Sequence, residues 1–144
     1  MLLRTFFPFF IAIALLPFTS CKKKNNGDTP APSVQEEALS FELPEIQIGK
    51  YNTALDSTYA LKVNITSKIP DKGVKVTVNV ATEINTIPLP QDTVPDTKNT
   101  PFIITLRHLK PLKTYEVTVT LASLGNTANV ATPKIFYLTN KSAE

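Results

Sequence analysis

The stretch Leu109-Lys110-Pro111-Leu112-Lys113-Thr114-Tyr115-Glu116-Val117-Thr118-Val119-Thr120-Leu121 carries the plainest structural signal in the chain. Tyr115, Val117, Val119 and Leu121 fall on one side of an extended backbone, and Glu116, Thr118 and Thr120 on the other. Such period-2 alternation is the pattern of a strand with one face in a core and the other toward water. Pro111, with its fixed φ and missing N–H, marks a corner just upstream.

The same period recurs on both sides. Leu39-Ser40-Phe41-Glu42-Leu43 alternates until Pro44, and Ile46-Gln47-Ile48 resumes it. Tyr59, Leu61, Val63 and Ile65 form a stripe, as do Val74, Val76, Val78 and Val80, and then Phe102, Ile104 and Leu106. Lys134 to Thr139 reads as the last strand, with either face able to point inward. Pro70, Asp71 and Gly73 supply the fixed φ, side-chain cap and positive φ of a tight turn. The segment 86–99 holds Pro88, Pro90 and Pro95, too many for a central strand; it reads as a wandering edge strand followed by a loop. No stretch shows a convincing helical period. The expected fold is all-β: an antiparallel sandwich of about seven strands over residues 36–144.

Composition agrees and excludes several function classes. The 144 residues contain 19 Thr against 4 Gly, which favours strands because β-branched residues suit pleated surfaces. One His and one Cys leave no clustered zinc ligands, no internal disulfide and few nucleophile–base pairs. The formal charge is +3, but residues 36–144 hold eleven Lys/Arg and eleven Asp/Glu. The excess belongs to Arg4 and Lys22–Lys24 less Asp28 (4 − 1 = 3), so no basic face is required of the domain and nucleic-acid binding loses its main electrostatic argument.

Residues 1–20 form a separate signal. Arg4 precedes an apolar run from Phe6 to Phe18. As a helix that run rises about 20 Å, short of a ~30 Å hydrocarbon core, and Pro8 and Pro17 weaken it further. A positive start, a short apolar run and small residues describe a secretory signal peptide. Phe18-Thr19-Ser20-Cys21 resembles the lipobox of bacterial lipoproteins, although Phe18 stands where an aliphatic residue is usual. That resemblance implies cleavage before Cys21 and lipidation of Cys21, with two or more acyl chains giving a stable anchor. Lys22 is not an inner-membrane retention Asp, so the expected address is the cell envelope, most simply the outer membrane, on its periplasmic or surface face. Residues 21–35, rich in Lys, Asn, Pro and Ser, then read as the lipidated Cys and a flexible tether.

Leu109, Pro111, Tyr115, Val117 and Val119 resemble the fibronectin type III pattern Leu-x-Pro-x-x-x-Tyr-x-Val-x-Val. The resemblance implies an immunoglobulin-like sandwich in which Tyr115 hydrogen-bonds back to the corner backbone, the tyrosine corner. The Trp usual in the second strand of that family is missing. The short turn at 70–73 leaves open whether its flanking strands form a same-sheet hairpin or lie in different sheets.

Chemistry-bearing residues are sparse. His108 is the sole candidate base, and no Ser or Cys adjoins it. Glu36, Glu37, Glu42, Glu45, Glu83, Asp92 and Asp96 read as surface charge, and Asp92 with Asp96 lacks the spacing of a calcium loop. Tyr51 and Tyr137 are the rings most open to solvent contact with sugars. The candidate binding loop is Pro88, Leu89, Pro90, Gln91, Asp92, Thr93, Val94, Pro95 and Asp96. Ser57 in Asp56-Ser57-Thr58 and Thr93 in Asp92-Thr93-Val94 resemble a bacterial O-glycosylation sequon. The sequence thus implies no catalytic residue, metal or cofactor. It points to a non-enzymatic, lipid-anchored envelope module that meets a protein or glycan partner. A structural envelope-assembly lipoprotein and an enzyme's accessory subunit are the alternatives.

Overall fold

A computed structural model describes residues 35–141, so the signal, Cys21 and the tether to Val34 lie outside the described residues. Seven strands run in order: β1 (Phe41–Glu42), β2 (Tyr51–Ala54), β3 (Tyr59–Ile65), β4 (Val74–Thr82), β5 (Phe102–Leu106), β6 (Thr114–Ser123) and β7 (Lys134–Asn140). They form a three-stranded sheet in the order β1-β3-β5 and a four-stranded sheet in the order β2-β7-β6-β4. One apolar core draws on both sheets: Phe41, Leu61, Val63 and Ile104 from the first, and Val76, Val117, Leu121 and Phe136 from the second. The protein is a β-sandwich.

The alternation sets the faces. Along β6 every second residue from Tyr115 to Ser123 is buried. On β7, Phe136, Leu138 and Asn140 are buried while Ile135 is exposed, which settles the face that its sequence left open. The 70–73 turn carries the chain from β3 in one sheet to β4 in the other rather than making a hairpin. Gly73 has φ +91°, and a Cβ there would stand 2.7 Å from the Thr97 carbonyl oxygen.

Two expectations need correction. Ile46-Gln47-Ile48 is not a strand. Pro44 sits in a turn closed by Ile46 N–H to Leu43 C=O (3.0 Å), and a second turn, with Gly49 at φ +78°, is closed by Lys50 N–H to Gln47 C=O (3.2 Å). The Asn52 side chain braces it, accepting from Gln47 N–H at 2.9 Å. The strand begins at Tyr51 instead. Nor is the sandwich wholly antiparallel: β2 pairs with β7 in parallel, Tyr51 opposite Tyr137 and Ala54 opposite Asn140. Those turns transfer the chain to the other sheet already running in the direction of β7.

The register defines two ends. Thr82, Thr114, Asn140, Ala54, Tyr59 and Leu106 lie at one, which we call the corner end. At the other, Val74 faces Ser123 across β4 and β6. The chain enters there: the Asn129 side chain donates to the Glu36 carboxylate (3.1 Å) and accepts from Leu39 N–H (2.8 Å).

Candidate functional site

The corner end is built from residues 107–115 and 82–89. Leu109 is buried, and its N–H donates to Ser57 C=O at 2.9 Å. The Tyr115 hydroxyl, on a buried ring, accepts from Lys110 N–H at 2.8 Å, the bond expected at the corner. Pro111 and Leu112 form the turn that follows, with Leu112 at φ +57°. Asn140 closes it from β7. It is buried, its side chain donates to Leu109 C=O (2.8 Å), its C=O accepts from Leu112 N–H (2.9 Å), and its N–H donates to Lys113 C=O (3.0 Å). Sequence reasoning missed Asn140. The signal was present, since it continues the inward phase of Phe136 and Leu138.

The neighbouring turn extends the β4–β6 ladder by Glu83 N–H to Thr114 C=O (3.0 Å), then reverses through Thr86 at φ +49°. The Thr82 hydroxyl accepts from Ile87 N–H at 3.0 Å. Ile84 is left 90% exposed at the apex.

A cavity of about 410 Å³ lies between the two turns, within the range of about 300–1,000 Å³ usual for ligand sites. Ile84, Ile87, Leu89 and Leu112 line it, together with Lys110, Lys113 and Glu83. Thr86, His108 and Leu112 are the positive-φ residues other than glycine among the described residues, and all three belong to this end. Backbone strain of this kind, on the order of 1–3 kcal/mol per residue, gathers at functional sites. Chemically the cavity suits an apolar group, with cationic and anionic contacts available beside it.

His108 is solvent-exposed in the left-handed region, and among the described residues no acid is in hydrogen-bond contact with it. Among the described residues no three His, Cys, Asp or Glu side chains converge as metal ligands would.

The loop Pro88–Asp96 is a strap along the open side of the sandwich. Leu89 N–H donates to Val80 C=O (2.7 Å), and Val74 and Thr97 exchange N–H···O bonds of 2.8 and 3.0 Å. Between these points Gln91 grips Arg107 twice: its side-chain oxygen accepts from the N–H (2.8 Å), and its amide donates to the C=O (3.0 Å). Asp92 pairs with Arg107 at 2.7 Å. Leu89 and Val94 pack on the core. Pro90 and Pro95 have no N–H to offer, so the strap does not zip along β4, and a second cavity of about 670 Å³ opens between them. Ser57 and Thr93 are both exposed.

The register brings Tyr51 and Tyr137 together on the outer face of the four-stranded sheet, ring centroids 5.5 Å apart and tilted by 44°. The Tyr51 hydroxyl donates to Glu83 (2.7 Å) and that of Tyr137 to Glu116 (3.3 Å). The hydrogen bond to Glu83, then its charge, hold the Tyr51 hydroxyl above the ordinary phenol range. The charge of Glu116, with burial, raises that of Tyr137.

No protein-family profile, curated protein or solved structure matches this chain.

Proposed function

We propose that the protein is a lipid-anchored cell-envelope lipoprotein whose immunoglobulin-like, fibronectin type III-like sandwich is a non-enzymatic binding module for a protein or glycan partner. The observation that carries the reading is the apolar, partly strained cavity at the corner end, opposite the end where the chain enters at residues 35–39. The bond from Lys110 N–H to the Tyr115 hydroxyl and the β1-β3-β5/β7-β6-β4 arrangement support the immunoglobulin-like assignment.

A photo-crosslinker at Leu112, compared with one at Ile103 on β5, tests the binding surface in living cells. The reading expects discrete adducts from Leu112 and none from Ile103; equal labelling of both overturns it. For a glycan partner the Tyr51–Tyr137 pair is the favoured platform, because exposed rings offer an apolar face beside polar groups. A glycan array with wild type and Tyr51→Ala tests it: retention of the same glycans by Tyr51→Ala excludes that face.

A further inference from the structure

We infer that the corner cavity receives a protein segment bearing an apolar side chain flanked by carboxylates, with Leu112 displayed as the apolar anchor and Lys110 and Lys113 as its ion-pairing groups. The inference rests on the binding-module reading and names its partner's chemistry.

Charge at the cavity is one-sided in availability. The Glu83 carboxylate, the one anion that lines the cavity, accepts from the Tyr51 hydroxyl. The ammonium groups of Lys110 and Lys113 have no ion pair or hydrogen bond among the described residues. The Glu83 carboxylate keeps its charge, so the charged lining of the cavity, Lys110 and Lys113 against Glu83, sums to 2 − 1 = +1. An incoming carboxylate complements the two lysines, whereas an incoming ammonium meets two like charges.

The placement of Leu112 is the second observation. A turn residue at φ +57° favours Gly or Asn, because an L-residue's Cβ crowds the backbone there. Leu112 holds that conformation through its N–H bond to Asn140, and its side chain is 73% exposed. It therefore brings strain without core burial in return. Ile84, 90% exposed across the same cavity, repeats the pattern of apolar surface left uncovered. A stable fold alone selects neither; a partner's apolar side chain seated between them accounts for both.

The test is selection of a phage-displayed random peptide library on the full chain in detergent, then fluorescence anisotropy with the enriched peptides. The expected peptides carry an aliphatic or aromatic residue beside Asp or Glu, and bind more weakly as salt rises. Lys110→Glu with Lys113→Glu should weaken binding about tenfold or more. Leu112→Asn should weaken it about as much, as loss of an anchor does, while raising Tm by several degrees as the strain is released. Enrichment of basic or charge-indifferent peptides, no enrichment, or a Leu112→Asn variant with undiminished affinity each overturns the inference. Peptides that bind through the β4 edge, lost in a Val78→Pro variant but not in Leu112→Asn, overturn it while leaving the binding-module reading standing. Absence of Leu112 adducts in the cell crosslinking experiment removes the reading itself.

Discussion

Asn140 shows how a polar residue earns a core position. Its side chain and backbone close three bonds onto the corner 109–113, so no buried polar side-chain atom there is orphaned. Asn140→Ala strands the Leu109 carbonyl and should cost about 1–3 kcal/mol, read from the urea midpoint. Tyr115→Phe keeps the buried ring and removes only the acceptor of Lys110 N–H, so about 1 kcal/mol is expected in the same measurement. The tyrosines of the outer face give a pH prediction. Both hydroxyls titrate above the ordinary phenol range, so folding favours their neutral forms. The resulting stability is complete below the unfolded phenol pKa near 10, and is lost as pH climbs through the raised folded values. In an alkaline absorbance titration Tyr51 and Tyr137 should ionise late, and Glu83→Gln should bring Tyr51 down. Tyr115 was legible because its partners lie within the same eleven-residue motif. The positive φ of Leu112 was not, since it is imposed by Asn140 on a distant strand rather than by local preference.

The long strands β3, β4 and β6 were legible for a related reason: each is buried on one face, which fixes the period along its whole length, whereas β7 was legible as a strand but not in its inward face, since Ile135 and Tyr137 are apolar like Phe136 and Leu138. The edges hid. Ile46 and Ile48 share a phase by the minimum of two residues, and two turns override it; β2, only four residues with Tyr51 and Thr53 exposed, offers no apolar stripe to read. The strap lies between these cases. Its prolines revealed that it is no central strand, but its grip on Arg107 comes from the Gln91 side chain imitating a strand partner, which no period encodes. Gln91→Ala should cost about 1–2 kcal/mol. It should also speed hydrogen exchange at the Arg107 amide while leaving the Thr97–Val74 bonds protected; simultaneous loss at both places would show that the strap detaches as one piece instead.

On the binding-module reading, attachment and recognition fall to different parts of the molecule. The end where the chain enters is pinned by Glu36, whose carboxyl is held below the ordinary carboxylate range by hydrogen bonds from Ser123 and then Asn129. A depressed folded pKa contributes stability above the unfolded value and loses it as pH falls through the folded one. Acid should therefore raise hydrogen exchange at Leu39, whose amide rests on Asn129, before it reaches β6; Glu36→Gln should abolish that pH dependence. Among the described residues the core runs from Leu39 to Leu138. The lipoprotein reading expects attachment and folding to be separable. Cys21→Ser should move the protein from the membrane pellet to the soluble fraction, and the thermal transition of its domain should stay within about 1 °C, because the substitution changes no residue of the described core. A Cys21→Ser protein that stays in the pellet would refute lipid anchoring at that residue, and one that leaves it with a lowered Tm would show the anchor and the sandwich to be coupled.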